Sequence, residues 1–180
     1  MLNFLLRRRI AAFEANYDYN MDYAREILAA DRSAFMKLTR LMGFSAWHRD
    51  VPAAAYFAAK IAATAAEDCG PCTQLMVTMA ERAGVPAATL RAVLAGDAQA
   101  MGDEAALGWQ FACAVLAHDP AAEALRRRIG QLWGQRAVIS LSYAITAGRL
   151  YPTLKYALGH GIACARVSVA GAPMPVARAA

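Results

Sequence analysis

Three features of the sequence predict an all-α fold. It is rich in alanine, the best helix former and a poor strand former. Helix start and stop signals recur from end to end, and no alternating run bounded by turn residues asks to be a strand. At 180 residues the chain suits one domain with a real core and is too short for two. Its 58% hydrophobic and 18% charged residues exclude an intrinsically disordered chain.

The elements follow in order. An amphipathic helix over about Asn3–Asn16 ends in the polar, aromatic connector Tyr17-Asp18-Tyr19-Asn20. Asn20 or Asp22 caps a long helix to about Met42, with Ile27, Leu28, Phe35, Leu38, Leu41 and Met42 mostly on one stripe. Asp50, with Pro52 in the first turn, opens an alanine-rich helix to about Ala66, which should be buried and closely packed. Asp68 is the next expected N-cap, for a helix ending at Gly84, and a short helix spans Pro86–Ala95. Helices are then expected from Asp103 to His118, from Asp119-Pro120 through Leu132, over Ala137–Gly148 and over Tyr151–Leu158. The domain is expected to cover residues 1–166, with 1–20 as a helical arm. The tail 167–180, with Gly171, Pro173 and Pro175, is expected to be flexible or laid on a neighbouring subunit.

A net charge of +5 and a pI near 9.2 would permit an anionic partner. The basic residues, however, form two short clusters, Arg7-Arg8-Arg9 and Arg126-Arg127-Arg128, without interleaved aromatics, so solvated helix faces are expected and no nucleic acid. The apolar stretches Val51–Ala59 and Ala137–Ala147 fall short of the ~20 residues a membrane span needs. Met1–Leu6 is too short for a signal-peptide core and its arginines follow the apolar run. A cytoplasmic address with reduced thiols is expected.

The informative segment is Glu67-Asp68-Cys69-Gly70-Pro71-Cys72-Thr73-Gln74. Cysteines at i and i+3 in the first turn of a helix share a face, with Cβ atoms about 5 to 6 Å apart, so a bond between them can form and break locally. The helix N-terminus favours a thiolate and lowers its pKa, and proline is harmless there. A redox-active dithiol is the expected chemistry. Inert core thiols, a static disulfide and a zinc site compete with it; zinc would need two more ligands, and Cys113 and His118 do not share a helix face. Glu67, two residues before Cys69, is the candidate general base, with a helix-end charge as its competing role. Cys113 and Cys164 read as core, and the methionines at 36, 42, 76, 79 and 101 as packing. His118 has a helix-dipole explanation, His48 a possible pocket position beside Trp47, and His160 follows the last helix.

Cys69-Gly70-Pro71-Cys72 matches the tetrapeptide of thioredoxin, but an alanine-rich helix precedes it where thioredoxin has a strand. The stretch Ala58–Leu94, in which a Cys-x-x-Cys opens a helix and Ala83-Gly84-Val85-Pro86 follows it, resembles the carboxymuconolactone decarboxylase and alkyl hydroperoxidase D-like family. Ala137–Ala144, leading into Gly148-Arg149-Leu150-Tyr151-Pro152, looks like that family's final helix and its exit. The resemblance covers roughly residues 50–160 and implies an all-α homo-oligomer of about seven to eight helices. It implies reduction of peroxides or disulfides through Cys69 and Cys72, with no bound cofactor. The reductant would be a small thiol, a lipoyl group or a thioredoxin-type protein. It makes Cys72 the attacking thiol, whereas the helix N-terminus favours Cys69, and the order stays open. Two positions depart from the redox branch: Met76 stands where its histidine would be, and Phe57 where its glutamate would be. The alternatives are a decarboxylase-type lyase and a non-catalytic helical oligomer that binds a small molecule or a protein.

Overall fold

The computed structural model of the protein describes residues 2–161 and 167–177. Among them are nine helices: α1 (Leu2–Tyr17), α2 (Asp22–Ala30), α3 (Arg32–Ala46), α4 (Ala53–Ala66), α5 (Gly70–Arg82), α6 (Ala87–Ala95), α7 (Asp103–Leu116), α8 (Ala121–Trp133) and α9 (Gln135–Ala157). An antiparallel hairpin of β1 (Val167–Val169) and β2 (Ala172–Met174) follows. The fold is all-α apart from this hairpin. No described helix is long and apolar enough to cross a membrane.

Helix α4 is the axis of the fold, buried at every residue from Ala55 to Ala65. It packs against α5, α6, α7 and α9, and small side chains let backbones come close on several sides at once. The closest approaches are at glycines. A Cβ on Gly108 of α7 would collide with the Ala55 carbonyl, and one on Gly148 of α9 would lie 2.7 Å from Ala63 Cβ and 3.1 Å from the Lys60 carbonyl oxygen. The buried, alanine-rich helix expected over 52–66 is the one around which the others close.

Four boundaries differ from expectation, each for a local reason. The long helix to Met42 is two helices, because the Asp31 carboxylate accepts from the Ser33 and Ala34 N–H groups at 2.5 and 3.3 Å and starts α3 afresh. Asp50 and Asp68 are not N-caps: both take left-handed backbone, at φ 57° and 53°, a conformation aspartate tolerates. Pro52 and Cys69 occupy the cap positions instead. The last two expected helices are one, α9, which runs through Pro152. Proline there removes one backbone hydrogen bond, but its ring is fully buried in the packed interior.

Over its described part the tail forms a hairpin that contacts its own chain. Val167 and Val169 are buried, and Ser168 between them exchanges two hydrogen bonds with the Gln74 side chain, at 2.7 and 3.1 Å. The two-residue turn Ala170-Gly171 has positive φ at both positions, which suits the twist of a tight hairpin. The Ala177 N–H donates to the Leu94 carbonyl at 2.7 Å. The Val-Ser-Val alternation followed by Ala-Gly was a short strand-and-turn signal inside a stretch read as irregular.

Candidate active site

Cys69 is the N-cap of α5 with extended backbone, Gly70 and Pro71 fill the first turn, and Cys72 follows on the same face. Both cysteines are buried, with Sγ atoms 2.7 Å apart. Two sulfurs this close share a proton and titrate as a pair. The Cys69 thiol is lowered from its ordinary 9.0 to about 7, chiefly by the Cys72 side-chain hydrogen bond and further by the Cys72 backbone and the Lys155 charge, against the effect of burial. Cys72 is pushed up by its hydrogen bond to Cys69 and by burial. The pair therefore loses its first proton readily and holds its second.

Two side chains from elsewhere in the chain complete this end. The Tyr19 hydroxyl lies 3.5 Å from Cys72 Sγ, and Lys155 Nζ of α9 donates to Tyr19 Oη at 3.4 Å. Lys155 is 3% exposed, and its Nζ lies 4.8 Å from the Tyr19 ring centre and 5.8 Å from that of Tyr23. Lys155, Tyr19, Cys72 and Cys69 thus form a line through the interior. The Tyr19 hydroxyl is pushed up by burial and by the nearby thiols, so it stays protonated and serves as a donor.

Cys72 lies on the wall of a cavity of about 370 Å³, whose apolar lining includes Phe13, Tyr23, Phe57, Leu75, Met76 and Met79. Met76 and Phe57 are both on the wall of this cavity. Lys60 of α4 also lines it, 6% exposed, donating to the Ser45 carbonyl at 2.8 Å and to Tyr56 Oη at 3.2 Å. Tyr56 donates to the same carbonyl at 2.8 Å and stacks on His48, ring centres 4.5 Å apart. Burial pushes the Lys60 amine down from 10.5 to about 8 and the Tyr56 phenol up to about 12. Among the described residues neither Lys60 nor Lys155 has a carboxylate within ion-pair distance.

Cys69 and Cys72 are brought together, but Glu67 is directed elsewhere. Its carboxylate accepts from Arg149 Nε at 2.6 Å and Thr153 Oγ1 at 3.4 Å, both on α9, and makes no hydrogen bond to either thiol among the described residues. It ties the end of α4 to α9. His48 lines the cavity. His160 Nε2 lies 2.6 Å from Glu26 Oε2, and His118 follows the end of α7. Cys113 is half-buried on α7, its thiol pushed up by burial to about 11, while Cys164 lies outside the described residues.

Sequence reasoning missed Tyr19, Lys60 and Lys155. The two lysines did carry a signal: each is the only charged residue in an apolar helical run, 53–66 and 150–158. A lysine so placed on a buried helix has no path for its amine to reach water. Tyr19 carried none, since a tyrosine in a polar connector is ordinary. No family model, no curated protein and no solved structure matches the chain.

Proposed function

We propose that the protein is a thiol-dependent oxidoreductase of the alkyl hydroperoxidase D-like type, reducing peroxides or disulfides through Cys69 and Cys72. The observation that carries this reading is the pair of sulfurs 2.7 Å apart on one turn of α5, with Cys69 lowered to about 7 and Cys72 open to a cavity. Inert core thiols are pushed up by burial, as Cys113 is.

Access decides the order of attack. Cys72 lines the cavity, whereas Cys69 is wholly buried behind it. The proton that the singly ionised pair keeps passes from Cys72 to Cys69 across the 2.7 Å between the sulfurs, the Cys72 thiolate gives an electron pair to the peroxide's terminal oxygen, the O–O bond breaks, and the departing alkoxide takes a proton from solvent and leaves as an alcohol. The Cys69 thiol, losing its own proton, then attacks the Cys72 sulfenic acid. Water leaves, and the Cys69–Cys72 disulfide closes. A disulfide substrate is instead opened by Cys72 to a mixed disulfide, which Cys69 resolves. Two thiol equivalents restore the pair, supplied by two small thiols or by one dihydrolipoyl group or thioredoxin-type protein. Lys155 stabilises the anion, and Tyr19 donates to Cys72.

Counting free thiols before and after one equivalent of cumene hydroperoxide tests the reading. Two thiols should disappear and return with dithiothreitol, and mass spectrometry should locate the bond between Cys69 and Cys72. An unchanged count would overturn the proposal. The chain is further proposed to act as a homo-oligomer, because Leu2, Phe4 and Leu5 of α1 are 51%, 63% and 54% exposed. A solution mass near 19.3 kDa by light scattering would contradict that.

A further inference from the structure

We propose that the cavity beside Cys72 binds a small apolar monocarboxylate, its head held by Lys60 and its body by the aromatic and methionine side chains of the walls. The inference rests on Lys60 and the cavity and is independent of the dithiol reading. A lysine 6% exposed on the central helix is costly to bury as a cation. Its hydrogen-bond partners are one carbonyl and one hydroxyl, and its amine lies 5.2 Å from the Tyr56 ring centre, so none of its neighbours in contact brings a full negative charge.

The two buried lysines differ in what can neutralise them. Lys155 has the Cys69–Cys72 pair, which supplies one negative charge when its first proton leaves. Among the described residues Lys60 has no carboxylate within ion-pair distance, and the Tyr56 phenol beside it, pushed up to about 12, stays neutral. The burial that pushes its amine down to about 8 still leaves it mostly protonated at pH 7. A ligand bringing one negative charge would complete the site, and a charged hydrogen bond in a dry pocket is among the stronger ones.

Charge and shape select the ligand class. Of the two cations on the cavity wall, Arg82 is exposed and donates to the Asn16 carbonyl, so Lys60 is the buried one; it balances one negative charge, whereas a phosphate dianion would leave excess charge in the apolar interior. Phe13, Phe57, Leu75, Met76 and Met79 offer contact to a hydrocarbon or aromatic body. The volume of about 370 Å³ is at the small end for ligand pockets.

Calorimetric titration of the reduced protein at pH 7 with octanoate, octanol and octylamine tests this directly. The three share a chain and differ in head charge. Octanoate should bind at least about tenfold more tightly than octanol, and octylamine should not bind measurably. Lys60→Met should remove the advantage of octanoate while octanol binding persists. Equal binding of octanoate and octanol to the wild type, no binding of either, or an advantage that survives Lys60→Met would each overturn the proposal. If Lys60→Met does not fold, the three head groups on the wild type decide alone. None of these outcomes bears on whether the dithiol oxidises.

Discussion

Cys113 and the pair Cys69–Cys72 carry the same functional group in two electrical settings. Cys113 sits on α7, and burial pushes its thiol up to about 11 against a small opposing backbone hydrogen bond. The pair is more deeply buried, yet Cys69 is lowered to about 7. Desolvation disfavours every thiolate, so the difference comes from a second sulfur within hydrogen-bond reach and a lysine charge in the same interior. Thiol acidity in this protein is set by neighbours more than by burial.

The sharpest break between the two settings is in pH dependence. A depressed pKa means the Cys69 thiolate is present above about pH 7 and lost as pH falls through it, whereas Cys113 stays a thiol until about 11. At pH 8, iodoacetamide should label the pair faster than Cys113 by orders of magnitude, as peptide mass mapping would report. Cys69→Ser and Cys72→Ser should each reduce thiol-dependent turnover to background, while Cys113→Ser retains it. Turnover that survives loss of both members of the pair would place the chemistry elsewhere.

The next largest effect tests what the pair lacks. Met76 is one helical turn beyond Cys72 and faces the same cavity, but a thioether cannot carry a proton. Met76→His should raise peroxide turnover by about 10²-fold, the low end for a positioned general base. An unchanged rate in a folded variant would mean the Phe57 ring keeps the imidazole from the sulfur.

Lys155→Met removes the smaller of the two influences that separate the pair from Cys113. The midpoint of pair alkylation should rise by about one pH unit, slowing labelling at pH 6 by about tenfold, with Cys113 unaffected. A midpoint that does not move would assign the lowered Cys69 value to the second sulfur alone. Tyr19→Phe should have the smallest effect, a few-fold loss of turnover, because of the two hydrogen bonds its hydroxyl makes only the one to Cys72, worth about 1 kcal/mol, reaches the sulfur.

The helical fold and the helix-start dithiol were legible because both arise from local rules. Alanine content, proline and glycine punctuation and an i, i+3 cysteine spacing act within a few residues of chain. The errors were local competitions that the pattern did not resolve. Asp31 became a cap while Asp50 and Asp68 took left-handed turns, and Pro152 was retained inside α9 by burial. Glu67 adjoins Cys69 in sequence, yet its carboxylate engages Arg149 and Thr153, which reach it only through the packing of α9 against α4.

The sequence by itself determined that the chain is helical, that its alanine-rich segment is the buried centre, and that two cysteines open one helix. Only the tertiary structure decided which charges meet them. Lys155 and Tyr19 are 136 residues apart and come together because α9 lies beside the polar connector. Lys60 faces a cavity because α4 is enclosed by neighbouring helices, which turns its amine to the cavity and away from the protein surface. Helix formation follows from neighbours along the chain, whereas the electrostatics of a buried site depend on distances through space, which packing alone sets.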